Sequence, residues 1–485
     1  MSGGEQRVRR IALFGRSHEL WPVAALLAQD LPSGIELIVV EDAEPVEPAA
    51  LTIRLDDPLL ARLGIGEDDL RRTKSAIFAL GVDLLDWTGD GSRFFLAGSG
   101  SLPAIEDIAI HQILLRAARA YDQPERLAYL YQPFRLPARI AEAGKFVFPS
   151  GDPRSPLSMV RPTVQMDPDD CAALFRGRIG RNAMQIVQAK PKAQQFARES
   201  DRINRVVLDR DIVVEADFYI DVSGALSEAL YGHAPQDWQT LADGLVFDRL
   251  LSAERPGLPN GAGRPAVARA IVGGLLLTTA LRNRTISELI FASGEMTVEA
   301  AQKLVGSDAP PRSFDPGYLG HPWQGNLARL GGAAARFGPF LSADRITLHR
   351  QAVILADHLP ARVDMDVEAR EYNRRHRTVA EQIGDYMRLP FVLNQRTDVA
   401  WSAMREQPLP ESLAIRLDQF RSRGRLVTFE GEIWDEQSWI DLLIGFGVVP
   451  ERHDPMARSL DMAIMARRLK KLTGAFDQAL ASLSD

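Results

Sequence analysis

The sequence predicts an α/β protein: a parallel-sheet, Rossmann-type nucleotide domain, a second sheet inserted into it, and a helical C-terminal region. Three observations carry this. Residues 8–41 read strand, helix, strand. Residues 183–222 and 265–293 alternate or run apolar in the manner of strands. After Pro360 the chain turns strongly helical.

The elements follow in order. Ile11-Ala-Leu-Phe14 is a short apolar run that reads as a buried strand. Trp21, Ala24, Ala25, Leu27, Ala28 and Leu31 mark one face of a helix. A second strand, Ile35 to Val40, ends at Glu41. Residues 59–72 look helical, and Ala76 to Trp87 reads as one or two strands. The stretch 88–160 is rich in Gly, Pro and Ser, with one helix near 105–120. Residues 167–182 look helical again. Within 183–222, Glu215-Ala-Asp-Phe-Tyr-Ile-Asp-Val-Ser-Gly224 is a strand ending in an acid and a small-residue turn. A Gly/Pro-rich stretch, 306–325, leads to a helix from about Ser342 to His358. Arg370 to Leu389 and Met456 to Leu480 are the clearest amphipathic segments. We expect one compact unit. Its body covers 1–360, with a discontinuous nucleotide-type part (about 8–105, 160–225 and 318–360) and an inserted sheet region near 226–317. A helical region, 361–485, completes it.

Composition excludes several function classes. The 485 residues carry a net charge of -7, and no basic run with interleaved aromatics suggests nucleic-acid binding. The only cysteine is Cys171, so an intrachain disulfide or a cysteine metal cluster is ruled out. No two of the histidines, His18, His111, His233, His321, His349, His358, His376 and His453, stand at H-x-x-x-H spacing, and we expect no metal. The longest apolar runs, such as Ala270 to Ala280, are too short to span a bilayer, and the start of the chain lacks an apolar signal core. We expect a cytoplasmic protein. Ser158, Ser223 and Ser342 lack a G-x-S-x-G setting, which argues against a serine hydrolase.

The first turn is the most informative. A β-α-β unit with an acid at the end of its second strand is the order of a dinucleotide fold, and Glu41 stands where a ribose hydroxyl would be held. Yet the turn reads Gly15-Arg16-Ser17-His18-Glu19-Leu20. The first glycine of G-x-G-x-x-G is kept. The second, which lets backbone approach a pyrophosphate, is Ser17. The third, which lets helix and strand pack closely, is Leu20. The candidate cofactor-binding residues are therefore Gly15, Ser17, Glu41 and Asp221. Asp221 could face the pyrophosphate region or serve a plain turn before Gly224, and His18 could face a phosphate or cap the helix.

Three blocks resemble the flavin-dependent tryptophan halogenase family. They are the start through Trp21; the segment Glu215 to Gly224, similar to the family's "EADLFIDCSG"; and Glu371-Tyr-Asn-Arg374 with Leu409-Pro-Glu-Ser-Leu413 and Trp439 to Pro450. Trp323-Gln-Gly-Asn326 between them resembles the family's "WVGN". The resemblance spans nearly the whole chain. It implies a flavoprotein-monooxygenase-like nucleotide domain and FAD as cofactor. It also implies a two-place chemistry, in which reduced FAD, oxygen and halide give hypohalous acid, which a lysine and a glutamate direct onto an indole-type aromatic.

Matched residue by residue, the resemblance implies erased chemistry. Ala79 stands at the catalytic lysine; the nearby Lys74 reads as a solvated surface charge. The family's "EPLEST" segment reads Gly338-Pro-Phe-Leu-Ser-Ala343, with Leu341 at the catalytic glutamate. The tryptophan signature falls at Leu275, Leu277, Thr279 and Ala280, and the glycine-bearing flavin loop has no counterpart between Glu41 and Leu59. Asp344, Arg345 and His349, close together on the helix after Ser342, are either a surface cluster or replacement acid/base groups lining the old substrate cavity. Three functions stay open. The first is a non-catalytic halogenase-like protein, acting as a ligand-binding subunit for a small aromatic or as a homo- or hetero-oligomeric partner of an active homologue. The second is a working flavin-dependent halogenase or oxidoreductase with a rearranged site, which Gly15, Trp21 and Glu41 support. The third is an enzyme using the cavity without flavin.

Overall fold

The computed structural model describes residues 7–483 except 99, 101, 181–183, 193–196, 200–201, 232–236, 258–264 and 430. His233, one of the histidines weighed above, lies outside the described residues. Strand β1 (Arg10–Gly15), helix α1 (Ser17–Asp30) and strand β2 (Glu36–Glu41) form the expected β-α-β unit. They belong to a six-stranded sheet in the order Trp323–Gln324, Leu327–Arg329, Phe218–Asp221, β1, β2, Gln185–Gln188. Every pair in it is parallel except the first. Gly15 and Asp221 therefore reach the same edge as Glu41, at the carboxyl ends where the strand order reverses around β1. Ligands of such sheets bind at this switch point. The apolar runs in β1 and β2 are buried on both sides, as parallel strands under helices must be.

A seven-stranded sheet runs Arg312–Ser313, Arg249–Pro256, Arg284–Phe291, Gly274–Ala280, Ala266–Ile271, Gly81–Leu85, Arg93–Ala97. It is larger than the insert expected over 226–317, since two strands come from 81–97. A three-stranded sheet runs β3 (Leu51–Arg54), Thr163–Met166 and Ile77–Ala79.

Local chemistry explains the departures from expectation. The helix expected over 59–72 is two short ones, Pro58–Arg62 and Glu67–Arg71, because the chain turns at Gly64 with φ +62°. The stretch 88–160 holds more structure than one helix: a strand at Arg93–Ala97, helices at Ile110–Ala120, Leu127–Tyr131 and Leu136–Glu142, and 3-10 turns. Pro124, Pro133 and Pro137 stand at first-turn positions, where a missing N–H costs nothing, so they begin helical turns. The last amphipathic segment opens with a 3-10 turn, Pro455–Ser459, and becomes α-helical at Met462, where Asp461 accepts from the amides of Ala463 and Ile464.

The helical region, led by Asp366–Leu393, does not stand apart. Phe391, Trp401 and Trp439 share one core with Trp87, Phe247 and with Leu275 on the large sheet. A second core joins α1, β1 and β2 to helix Ala343–Asp357 through Leu13, Trp21, Leu37 and Leu348. The packing of these two cores fixes what faces the space between the sheets.

Candidate active site: a filled nucleotide turn and an open cavity

At the switch point the chain's own side chains take the positions a dinucleotide would need. A Cβ at Gly15 would meet Leu20 Cδ1 at 3.2 Å and Val222 Cβ at 3.3 Å, so Leu20 fills the space beside the first glycine. Ser17 enters α1 with φ +31° and carries a Cβ on the approach path. Trp21 Nε1 donates to Glu41 Oε1 at 2.9 Å, so the ribose-position acid already has a donor. Arg16 binds Asp42 and Glu44, each at 2.9 Å, and Lys190 also pairs with Glu44. Asp221 is fully buried and accepts from the amides of Gly224 (3.0 Å) and Ser227 (2.6 Å), capping helix Ala225–Tyr231. These are the bonds of a turn and helix cap. Glu19 reaches across the crevice to the backbone N–H of Gly332. Burial pushes its carboxyl up to about 7, against the pull of Arg345. His18 gives its carbonyl to Arg345 Nη1 at 2.8 Å, and its buried ring is held well below the usual imidazole range by desolvation and by Arg345. With Leu20 packed in, the acid at Glu41 engaged and Glu19 bridging the crevice, these residues do not fit a dinucleotide pyrophosphate as a glycine-rich turn does.

A cavity of about 130 Å³ lies between the large sheet, the three-stranded sheet and the helices beyond them. That compares with the roughly 150 Å³ space known to admit a benzene ring. Leu277, Pro339, Leu341, Ile346 and Trp434 supply apolar wall, and Tyr386 stacks on Trp434 at 4.1 Å and 11°. Leu277 and Thr279, at signature positions, line it; so does Leu341. Leu341 and Ser342 both adopt left-handed backbone, with φ of +53° and +59°. That conformation costs a non-glycine residue roughly 1–2 kcal/mol. The turn is held by Ser342 N–H on the Pro339 carbonyl (3.2 Å) and by Asp344, whose carboxylate accepts from Phe337 (2.6 Å) and Gly338 (3.1 Å).

Ala79 lies just behind the wall. It is fully buried, and its carbonyl accepts from the hydroxyl of Thr163, which does line the cavity. Lys74 is exposed, as its neighbours suggest.

The three residues considered as replacement acid/base groups do not line this cavity. Asp344 holds the 337–338 turn. Arg345 points to His18. His349 Nδ1 pairs with Asp57 at 3.1 Å, and its ring packs edge-on to Phe175. Burial pushes the Asp57 carboxyl up, but His349 and the amide of Leu59 outweigh it, leaving Asp57 below its usual range. The surface reading fails for Arg345, 6% exposed, and His349, 1% exposed, but Asp344 is exposed.

A lining residue that sequence reasoning missed is Glu288. It is 7% exposed, and burial pushes its carboxyl up to about 8, opposed by Arg312 and by the amide of Ala50. The signal was present: Glu288 is the charged residue of the Ile286–Phe291 run and shares its strand face with Ile286 and Ile290. Among the described residues no group of three or more His, Cys, Asp or Glu could hold a metal ion, and no helix is long and apolar enough to cross a membrane.

Solved structures with this architecture include flavin-dependent halogenases. The tryptophan halogenase family profile matches residues 10–462. Tryptophan 7-halogenase KtzQ of Kutzneria sp. (strain 744) is 22% identical over 509 aligned positions, covering 93% of this chain and 92% of that protein. Among solved structures, the flavin-dependent halogenase BrvH from Brevundimonas sp. BAL3 superposes with a TM-score of 0.87 at 25% identity, covering 99% of this chain and 98% of that one. The tryptophan 6-halogenase SttH from Streptomyces toxytricini superposes at 0.82 with 16% identity, covering 99% and 98%. The chain belongs to the tryptophan halogenase family.

Proposed function

We propose that this protein is a non-catalytic, small-molecule-binding member of its family, acting as a ligand-binding subunit or as a partner of an active homologue, and that it does not itself halogenate. The observation that carries the reading is the open cavity. Loss of the lysine and glutamate at Ala79 and Leu341 leaves a lined space that has not collapsed, with polar groups turned into it. Ala79 offers a methyl group, which can neither hydrogen-bond hypohalous acid nor form a haloamine. The side chains of Leu20, Trp21 and Glu19 oppose a bound FAD. A competing reading, an active flavin enzyme with a rearranged site, draws support from the full-length similarity to BrvH, itself a flavin-dependent halogenase.

The experiment is a titration of the purified protein with oxidised and reduced FAD, followed by absorbance and flavin fluorescence. We expect no binding at high micromolar FAD. We also expect no halogenated product from tryptophan or indole when reduced flavin, oxygen and bromide are supplied. A bound flavin with a perturbed spectrum sinks the proposal and favours the active enzyme. Gel filtration with an active family member tests the partner role, and co-elution supports it.

A further inference from the structure

A second cavity, of about 180 Å³, lies at the turn end of the hairpin formed by Gly81–Leu85 and Arg93–Ala97. Helices Leu127–Tyr131 and Glu436–Gly445 border it, and no residue lines both cavities. Leu84, Phe94, Ile444 and Phe446 supply apolar wall. Ser92, Arg93 and Gln132, all exposed, form its rim. The charge inside is Arg135, which is 9% exposed. Arg135 also borders an open groove beside Arg139 and Thr473, so solvent reaches it.

This guanidinium is held firmly but supplied with few acceptors. It lies 4.3 Å over the Phe94 ring, and that ring rests on Gly445, where a Cβ would clash with it. Nη2 donates to the Phe95 carbonyl. The ion pair with Asp441 spans 3.9 Å, beyond hydrogen-bond reach. Asp441 accepts from Tyr131 (2.7 Å) and Gln437 (2.6 Å). Of the Arg135 nitrogens only Nε is both buried and unbonded, so Nη1, which bonds nothing among the described residues, keeps accessible surface. A desolvated cation with so few acceptors calls for another. The other polar groups of the cavity are engaged. Asp83 binds Arg93 at two nitrogens, 2.6 and 2.8 Å, and Asp90 accepts from the Thr88 hydroxyl and the Ser92 amide. Among the described residues no carboxylate lines this cavity.

We propose that this second cavity binds a small monocarboxylate with a compact apolar body, its carboxylate on Arg135 Nη1 and its body against Phe94, Ile444 and Phe446. An anionic acceptor is what Arg135 lacks, and apolar contact is what the walls offer. The volume exceeds the roughly 150 Å³ that admits a benzene ring, which leaves room for a ring bearing a carboxylate. A single charge suits the site. A phosphate dianion would be repelled by Asp83, Asp90 and Asp441 around it and would gain nothing from the apolar wall. The inference is independent of the reading of the first cavity as a ligand site.

The test is calorimetric titration of the full-length protein, near neutral pH, with benzoate, benzyl alcohol, benzylamine and inorganic phosphate. Benzoate is expected to bind at least about tenfold more tightly than the other three. Arg135→Met keeps a stem over Phe94 and removes the charge, and it should weaken benzoate at least about tenfold. Ala128→Phe fills the cavity, keeps the arginine and should cause a similar loss. Leu277→Phe crowds the first cavity and should leave benzoate binding unchanged. Crystals of the parent protein grown with para-bromobenzoate decide the matter even where a variant misfolds: the anomalous peak of bromine is expected beside Phe94 and Phe446. A peak only in the first cavity, or loss of benzoate binding only in Leu277→Phe, overturns the site. Equal affinity for benzoate and benzyl alcohol overturns the role of Arg135, and tightest binding of phosphate overturns the carboxylate preference. No binding of benzoate at millimolar concentration overturns the inference and leaves the reading of the first cavity standing.

Discussion

The indole N–H of Trp21 is bonded to Glu41 Oε1 at 2.9 Å, across the strand end where a ribose hydroxyl would be held. The donor and acceptor lie on α1 and β2, so the bond ties the first helix to the second strand at the switch point. Arg16 does the same for Asp42 one residue later. The acids at the end of β2 are satisfied from within the chain, and Trp21 is 1% exposed.

Trp21→Phe keeps most of the ring packing and removes the donor. Hydrogen bonds to charged groups contribute roughly 1.5–3 kcal/mol, and the variant should lose about that much in urea unfolding. FAD affinity should not rise, because Leu20 and Glu19 remain in place. An unchanged unfolding midpoint would show that Glu41 is equally well served by water.

Restoring both family positions, as Ala79→Lys with Leu341→Glu, should yield no halogenated tryptophan by mass spectrometry. The nucleotide turn is untouched by these changes. Ala79 is fully buried in a strand paired with Thr163, so the new ammonium enters a packed wall and should lower stability by several kcal/mol. Detectable halogenated product would mean the turn at Gly15 accepts flavin after all.

Ser342→Gly tests the left-handed turn at the cavity mouth. The φ of +59° is unfavourable for serine and free for glycine, so the variant should gain up to about 1 kcal/mol in thermal or urea unfolding. A loss instead would mean the serine side chain holds the turn more strongly than its backbone opposes it.

The framework was legible in the sequence because it is built from local signals. The apolar run in β1, the helical face through Trp21 and the acid at the end of β2 each sit within a few residues of the next. Prolines misled where they open helical turns, at Pro124, Pro133 and Pro137, and Gly64 divided what read as one helix. The site was harder. Asp344, Arg345 and His349 are neighbours in sequence, but a helix turns by about 100° per residue, and the three diverge to the 337–338 turn, His18 and Asp57. Ile346, between them, is the one that faces the cavity. Glu288 and Gln165 meet the same space only because two sheets pack together, and no spacing along the chain announces that.

The Glu288 carboxyl also sets a pH dependence of stability. Its folded value, about 8, lies above the ordinary 4.5, so between these values the folded state holds a proton that the unfolded chain has released. Stability is therefore full below about pH 4.5 as far as this group is concerned. It falls as pH rises through the window and levels off above about 8, at a rate on the order of 1.4 kcal/mol per pH unit at most. Glu288→Gln cannot ionise and should remove this slope. It should be more stable than the parent at pH 8.5 by a few kcal/mol, with the difference shrinking toward pH 5. Paired urea unfolding curves at the two pH values measure it. A difference that stays constant across the window would mean that the carboxyl titrates normally and that the cavity is wetter than its walls suggest.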